Sequence, residues 1–261
     1  MTTLDAAARW FRGFRPAEPH ETTLICLPHA GGNASLFRSW GARLPPSIRV
    51  AAVQYPGQEG RWDEPPCVAM PELVEALAEA IATRVEGRVA LFGHSVGAIA
   101  AFEIARLLGR RHGRVPRHVF VSGCRAANAS GTASPVHTRP DEEVLAHVRA
   151  LGGLPPEVEG HAGYALAIAA RLRAGFQLDE CYVHTPGPRL TCPINCFHGQ
   201  DDSDVRRADT ERWSGLTEGA FATHVLPGGH FWSKAAEEIL LSIVGAALAR
   251  EHTTAPACEG S

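Results

Sequence analysis

The sequence predicts an α/β protein with a mostly parallel sheet covered by helices on both faces, and three observations predict it. Six short apolar runs rich in β-branched residues recur along the 261 residues. Helical patterns stand between most of them, and strands alternating with helices imply right-handed crossovers. The composition, 45% hydrophobic and 20% charged, suits one packed core with a few insertions.

The elements follow in order. "TTLICLP" (22–28) is the first buried strand, "ASLFRSWGARL" a helix and "IRVAAVQ" (48–54) the second strand. "PELVEALAEAIATRVEG" opens on proline and closes on glycine, as helices do. Strand "RVALFG" (88–93) runs into helix "VGAIAAFEIARLLGRRHG", and "RHVFVSG" (117–123) is the fourth strand. The alternation then breaks over about 125–190, where a loop-like segment precedes helical stretches at 141–150 and 162–182, separated by the turn-rich "GGLPPEVEG". This insertion is read as a lid over the carboxyl edge of the sheet, where such folds bind ligands. Strands "CPINCFHG" (192–199) and "FATHVLP" (221–227) and a final helix, "FWSKAAEEILLSIVGAALAREH", complete the series. Residues 1–261 read as a single domain, with 253–261 expected to be a disordered tail.

Composition excludes several classes of function. A net charge of −3 gives no large basic surface for nucleic acid or anionic lipid. No apolar run approaches the ~20 residues of a membrane span, and the first residues lack the core of a signal peptide. Seven cysteines form an odd set, several inside apolar runs where the thiol packs as a small hydrophobe. Cys192 and Cys196 have the wrong spacing for a CxxC pair and no matching cluster, so no metal site is expected. A reducing, cytoplasmic location is the expectation.

Chemistry concentrates at Gly93-His94-Ser95-Val96-Gly97. G-x-S-x-G between a strand and a helix is the context of a nucleophile elbow, a strained turn that tolerates no Cβ on either side of the serine. The amide of Val96, at the new helix's N-terminus, suits a developing oxyanion. An ordinary helix-capping serine is the alternative. A serine hydroxyl needs a base, and the base an orienting carboxylate, in the chain order Ser, acid, His. The acid falls in the loop Gln200-Asp201-Asp202-Ser203-Asp204. Asp202, three residues after Gly199, is taken as the orienter, with Asp201 and then Asp204 as alternatives. Of the late histidines, His224 lies within a strand pattern and His252 in the tail, whereas His230 follows "LPGG" and precedes the last helix, so it is taken as the base. His94 is expected to pack inside the elbow. His29 and Phe231 are expected to contact substrate. "LPHAGGNAS" (27–35), ending the first strand with paired glycines, can aim a second amide at the oxyanion.

Together these segments resemble the type II thioesterases that accompany modular polyketide synthases and nonribosomal peptide synthetases, members of the α/β-hydrolase superfamily. The likeness spans nearly the whole chain and rests on "LPHAGGNASLFRSW", "QYPGQEGRWDEPP", "LFGHSVGAIAAFEIARLL", "CPINCFHGQDDSDV" and "LPGGHFW". It implies a triad of Ser95, Asp202 and His230, oxyanion amides from Ala30 and Val96, and a helical lid. It also implies hydrolysis of acyl groups from the phosphopantetheine arm of an acyl or peptidyl carrier protein, with no cofactor of the chain's own. The family often has arginine after the Y-P-G turn. Here Gln58 stands there with Arg61 nearby, so entrance contacts are not carried over. The triad alone does not distinguish thioester from ester, which leaves a small-molecule carboxylesterase, or a non-catalytic ligand-binding protein on a hydrolase scaffold, as alternatives.

Overall fold

A computed structural model describes residues 9–13, 18, 21–129, 134–154 and 162–250. Among them run seven strands, β1 (Phe11–Arg12), β2 (Thr22–Leu27), β3 (Ile48–Val53), β4 (Arg88–His94), β5 (Val119–Ser122), β6 (Ile194–Gly199) and β7 (Phe221–Leu226). They form one sheet in the order β1-β3-β2-β4-β5-β6-β7, parallel throughout except for β1, which pairs antiparallel with β3. All six anticipated strands form. Only β1 is additional, a two-residue edge pairing of Phe11 with Val53 and Arg12 with Ala52, too short to carry a periodic signal.

The helices are α1 (Trp40–Arg43), α2 (Met70–Arg84), α3 (Val96–His112), α4 (Asp141–Ala150), α5 (Ala162–Glu180), α6 (Arg207–Glu211) and α7 (Lys234–Arg250). Successive strand residues point to opposite faces, so β2 feeds two cores. Ile25 and Leu27 join Leu91, Val121, Leu77, Ile81 and Phe102 under α2 and α3. Leu24 and Cys26 join Phe92, Phe120, Trp40, Leu240 and Val244 under α1 and α7. Burial on both faces is why the central strands read as continuous apolar runs. α3 ends at Gly113 in a left-handed conformation, with Arg110, Arg111 and His112 in its last turn, an arrangement that caps the carbonyls and suits the helix dipole.

One expectation about local structure is corrected. The segment 34–44 is not one helix: a 3₁₀ turn, Ala34–Phe37, capped by the Asn33 side chain, precedes the single turn of α1. Phe37, the last residue of the 3₁₀ turn, and Trp40, the first of α1, both turn inward to Phe92. Between β6 and β7, α6 and a 3₁₀ helix (Arg212–Leu216) form in a charged stretch with few buried residues.

α4 and α5 fall inside the inserted segment and share a small core of Val136, Val144, Leu145, Val148, Ala169 and Leu172. α4 starts after Pro140 with Asp141, Glu142 and Glu143 in its first turn, where the dipole favours negative charge. Residues 130–133 and 155–161 of the insertion, His252 and the 253–261 tail lie outside the described residues. Among the described residues, no helix is long and apolar enough to cross a membrane.

Candidate active site

From β2 the chain moves to β3 on one side, and from β4 to β5 on the other, so the strand order reverses between β2 and β4. The crevice at such a reversal, outside the carboxyl ends of the strands, is where open α/β sheets take ligands. Leu27 pairs with Gly93 there, which puts the loop after β2 beside the turn after β4.

That turn carries Ser95 at φ 56° and ψ −126°, a backbone state rarely adopted by residues with a Cβ. The two flanking glycines clear different obstacles. A Cβ on Gly93 would lie 2.0 Å from the Gly97 carbonyl oxygen, inside the first turn of α3. A Cβ on Gly97 would lie 2.4 Å from the Leu27 oxygen and 2.7 Å from that of Pro28, so its absence lets α3 abut the end of β2. The turn is fixed by the Ser95 amide donating to Ser122 O at 2.8 Å and by Ser95 O accepting from the Ala98 amide at 2.8 Å. The Ser95 side chain makes no capping hydrogen bond, which removes the helix-cap alternative.

Asp202 and His230 meet as the chain order anticipates. His230 Nδ1 is 2.9 Å from Asp202 Oδ2, with 7% of the histidine and none of the aspartate side chain exposed. The other carboxylate oxygen, Oδ1, accepts from the amides of Asp204 at 2.9 Å and Val205 at 3.2 Å, so the acid is held from both ends. Asp201 is exposed and touches the base loop through its amide, which donates to Gly228 O at 2.9 Å. Asp204 points elsewhere, pairing with His147 of α4 at 3.2 Å, and the His147 hydrogen bond holds its carboxyl below the usual range.

The remaining histidines separate by environment. His224 lies 3.0 Å from the Asn195 amide nitrogen and stacks on Phe197, a structural position within β7. His94 is buried between Trp232, 4.4 Å away centroid to centroid, and His230 at 5.2 Å, and desolvation pushes its pKa well below the usual value. His29 packs edge-on against Phe231 at 4.8 Å, with its Nδ1 3.0 Å from Ala30 O, and desolvation lowers its pKa to about 4.

Ser95, Ala30, Val96, His29, His230 and Phe231 all line one cavity of about 470 Å³, with Asp202 behind the imidazole. α4 and α5 wall its far side through Val148, Leu151 and Phe176, beside the Arg125–Asp179 ion pair at 2.8 Å. A second cavity, about 420 Å³ between α2, α3 and the end of α5, contains none of the triad residues. Among the described residues no three of His, Cys, Asp and Glu are grouped to hold a metal ion. Two neighbours of the site were not anticipated. Trp232 Nε1 donates to Ser122 Oγ at 3.1 Å, tying the base loop to the end of β5. The available signals were the aromatic beside His230 and a serine at a strand's carboxyl end. At the departure from the family pattern, Gln58 is buried and Arg61 turns inward to Glu64 and Gln54 O.

A seven-stranded, mostly parallel sheet with a serine at a strained strand-to-helix turn and a histidine-carboxylate pair on the same cavity defines a hydrolase of the α/β-hydrolase fold. Residues 22–248 match the thioesterase domain family, and the chain belongs to that family. It is 38% identical over 228 residues to thioesterase PikA5 of Streptomyces venezuelae, covering 85% of this chain and 79% of the relative. It is 33% identical over 232 residues to the gramicidin S biosynthesis protein GrsT of Aneurinibacillus migulanus, covering 89% and 91% respectively. Among solved structures, BorB, the type II thioesterase from the borrelidin biosynthetic cluster, superposes with a TM-score of 0.83 at 38% identity, over 92% of this chain and 98% of that one. The protein is a thioester hydrolase, as the resemblance to type II thioesterases implies.

Proposed function

We propose that the protein removes acyl groups from the phosphopantetheine arm of acyl or peptidyl carrier proteins through an acyl-Ser95 intermediate, in the cytoplasm. The observation that carries this reading is the buried His230–Asp202 pair opening onto the same cavity as Ser95. Six free cysteines among the described residues favour the compartment.

Asp202 accepts the Nδ1 proton of His230, leaving Nε2 as the lone-pair nitrogen that takes the Ser95 proton. Oγ bonds to the thioester carbonyl carbon, and the oxyanion rests on the amides of Ala30 and Val96, the latter at the positive end of the 17-residue α3. Collapse breaks the C–S bond, and the imidazolium returns its proton to the departing pantetheine thiolate. Water, deprotonated by the same imidazole, then attacks the acyl-serine and releases a free acid, restoring Ser95. His29, kept neutral by desolvation, and Phe231 wall the reacting acyl group without exchanging protons. No step requires a cofactor of the chain's own.

The test compares wild type with Ser95→Ala on acyl-carrier proteins, acyl-pantetheine thioesters and simple esters of the same acids, with a serine-directed phosphonate as a label. Hydrolysis and labelling are expected for wild type alone, with the carrier-bound thioester turned over best. Equal turnover by Ser95→Ala rejects the mechanism. Ester preference over thioester points to a carboxylesterase, and absence of both turnover and label to a binding protein.

A further inference from the structure

Helix α5 does more than roof the cavity: it rests on the backbone that carries one of the oxyanion amides. A Cβ on Gly175 would lie 2.6 Å from Ala30 Cα, 2.6 Å from Ala30 Cβ and 3.2 Å from Gly31 N. Three residues earlier on the same helix face, Leu172 sits so close to the loop that a Cβ on Gly31 would be 2.5 Å from its Cδ2. Glycine disfavours a helix interior, and here its missing side chain is what permits the approach. On its other side the same loop is met by α3, through Gly97 against the Leu27 and Pro28 oxygens. The loop is therefore clasped between two helices, one bearing Ser95 and one from the insertion.

A separate set of contacts fixes the height of α5. Arg171 Nε donates to Gly57 O at 2.7 Å and Nη2 to Trp62 O at 3.1 Å, and the guanidinium carbon lies 3.1 Å from the centre of the Trp62 ring. Nη1 donates back to Ala167 O of its own helix at 2.8 Å. Charge-assisted bonds to two carbonyls plus stacking make this a latch between α5 and the loop after β3.

We propose that α5 is a positioning element for the oxyanion hole: with Arg171 latched, Gly175 and Leu172 set the Ala30 amide, and acyl transfer is fast only while the helix is seated. This rests on Ala30 being an oxyanion donor, as read above. Such donors act when they lie about 2.7–3.1 Å from the developing charge. A methyl group at 175 has to displace the Ala30 backbone or lift the helix, and either spoils that distance.

The experiment measures kcat and KM on an acyl-pantetheine thioester for wild type, Gly175→Ala and Leu172→Ala. It adds the affinity of an alkyl boronic acid, which forms a tetrahedral adduct at the serine, and of a non-hydrolysable thioether analogue of the substrate. Thermal melting reports folding. Losing a whole oxyanion donor costs ~10²–10³-fold in kcat, so Gly175→Ala is expected to lose about 10- to 100-fold. Boronate affinity should fall in parallel, while KM and thioether affinity stay within about twofold. Leu172→Ala, which leaves a gap rather than a clash, should lose less in the same direction and decides the matter alone if Gly175→Ala does not fold. Folded variants with wild-type kcat and boronate affinity overturn the inference, as does an equal loss of boronate and thioether binding. A wild type that neither hydrolyses thioesters nor reacts at Ser95 overturns the parent reading instead, and the inference with it.

Discussion

Asp202→Asn replaces one carboxylate oxygen by an amide nitrogen, and the surroundings decide which. Oδ1 faces two donors, the amides of Asp204 and Val205 at 2.9 and 3.2 Å, so the asparagine oxygen must take that place. Its NH₂ then stands where Oδ2 was, 2.9 Å from His230 Nδ1. A ring nitrogen facing a donor presents its lone pair, so the imidazole proton moves to Nε2, the nitrogen required to accept the Ser95 proton. The fold survives, because both sets of hydrogen bonds are kept, but the base is in the wrong tautomer. The same exchange in a well-studied serine protease triad costs ~10⁴-fold in kcat, or about 5 kcal/mol of barrier. Steady-state hydrolysis of an acyl-pantetheine thioester, with a thermal melt as the folding control, measures the effect. Asp201→Asn is the comparison: its side chain is exposed and its contact to Gly228 is made by the backbone, so activity should stay within about twofold. Retention of more than about a hundredth of kcat by Asp202→Asn, or an equal loss in Asp201→Asn, would refute this account of the acid.

Stability should fall on mild acidification, because desolvation lowers the pKa of His29 to about 4 and also lowers those of His94, His198 and His224. Unfolded histidines bind protons below about pH 6.5 while these native ones stay neutral, so the loss begins near there and, for His29, levels off below about 4; a urea midpoint unchanged from about pH 7.5 to 4.5 would contradict it. Gly97→Ala should cost about 1–3 kcal/mol of stability, and also turnover, since the new Cβ sits 2.4 Å from Leu27 O and must push the loop carrying Ala30. A wild-type melting temperature and kcat would show that α3 has slack there.

The central strands and the elbow were legible because each signal is local. β2, β4 and β5 are buried on both faces and therefore apolar at nearly every position, and the turn at Ser95 advertises itself through the two glycines its sterics demand. β1 was not legible, since a two-residue edge pairing has no period, and 34–44 misled because its apolar residues suit an α-helix and two successive short turns alike. The inserted helices could be placed along the chain but not in space. Nothing in their own pattern says that His147 reaches Asp204, or that Gly175 lies on Ala30, because those contacts depend on how α4 and α5, joined by their small shared core, dock on the rest of the chain.

The choice among the three aspartates has a backbone explanation that spacing only hinted at. Pairing between β6 and β7 continues past their ends, with the Gln200 amide on Leu226 O at 2.8 Å and the Asp201 amide on Gly228 O at 2.9 Å. Residues 200 and 201 form a turn closed by the Asp202 amide on Gly199 O at 3.3 Å, and beyond it the Asp202 carboxylate meets His230 on the base loop to which this ladder is bonded, while Asp201 stays exposed. The acid and base thus come from adjacent strands and align as a local property of that pair. Ser95 does not share this advantage, for it belongs to β4, with β5 standing between. To reach it, the imidazole must pass over the end of β5, and the residue there is Gly123, where a Cβ would lie 2.7 Å from His94 Cε1 and 3.4 Å from His230 Cε1. Uniting a nucleophile after β4 with an acid–base pair after β6 and β7 therefore requires, besides the three side chains, a bare position at the end of β5, where a Cβ would collide with His94, the ring packed 5.2 Å from that of His230.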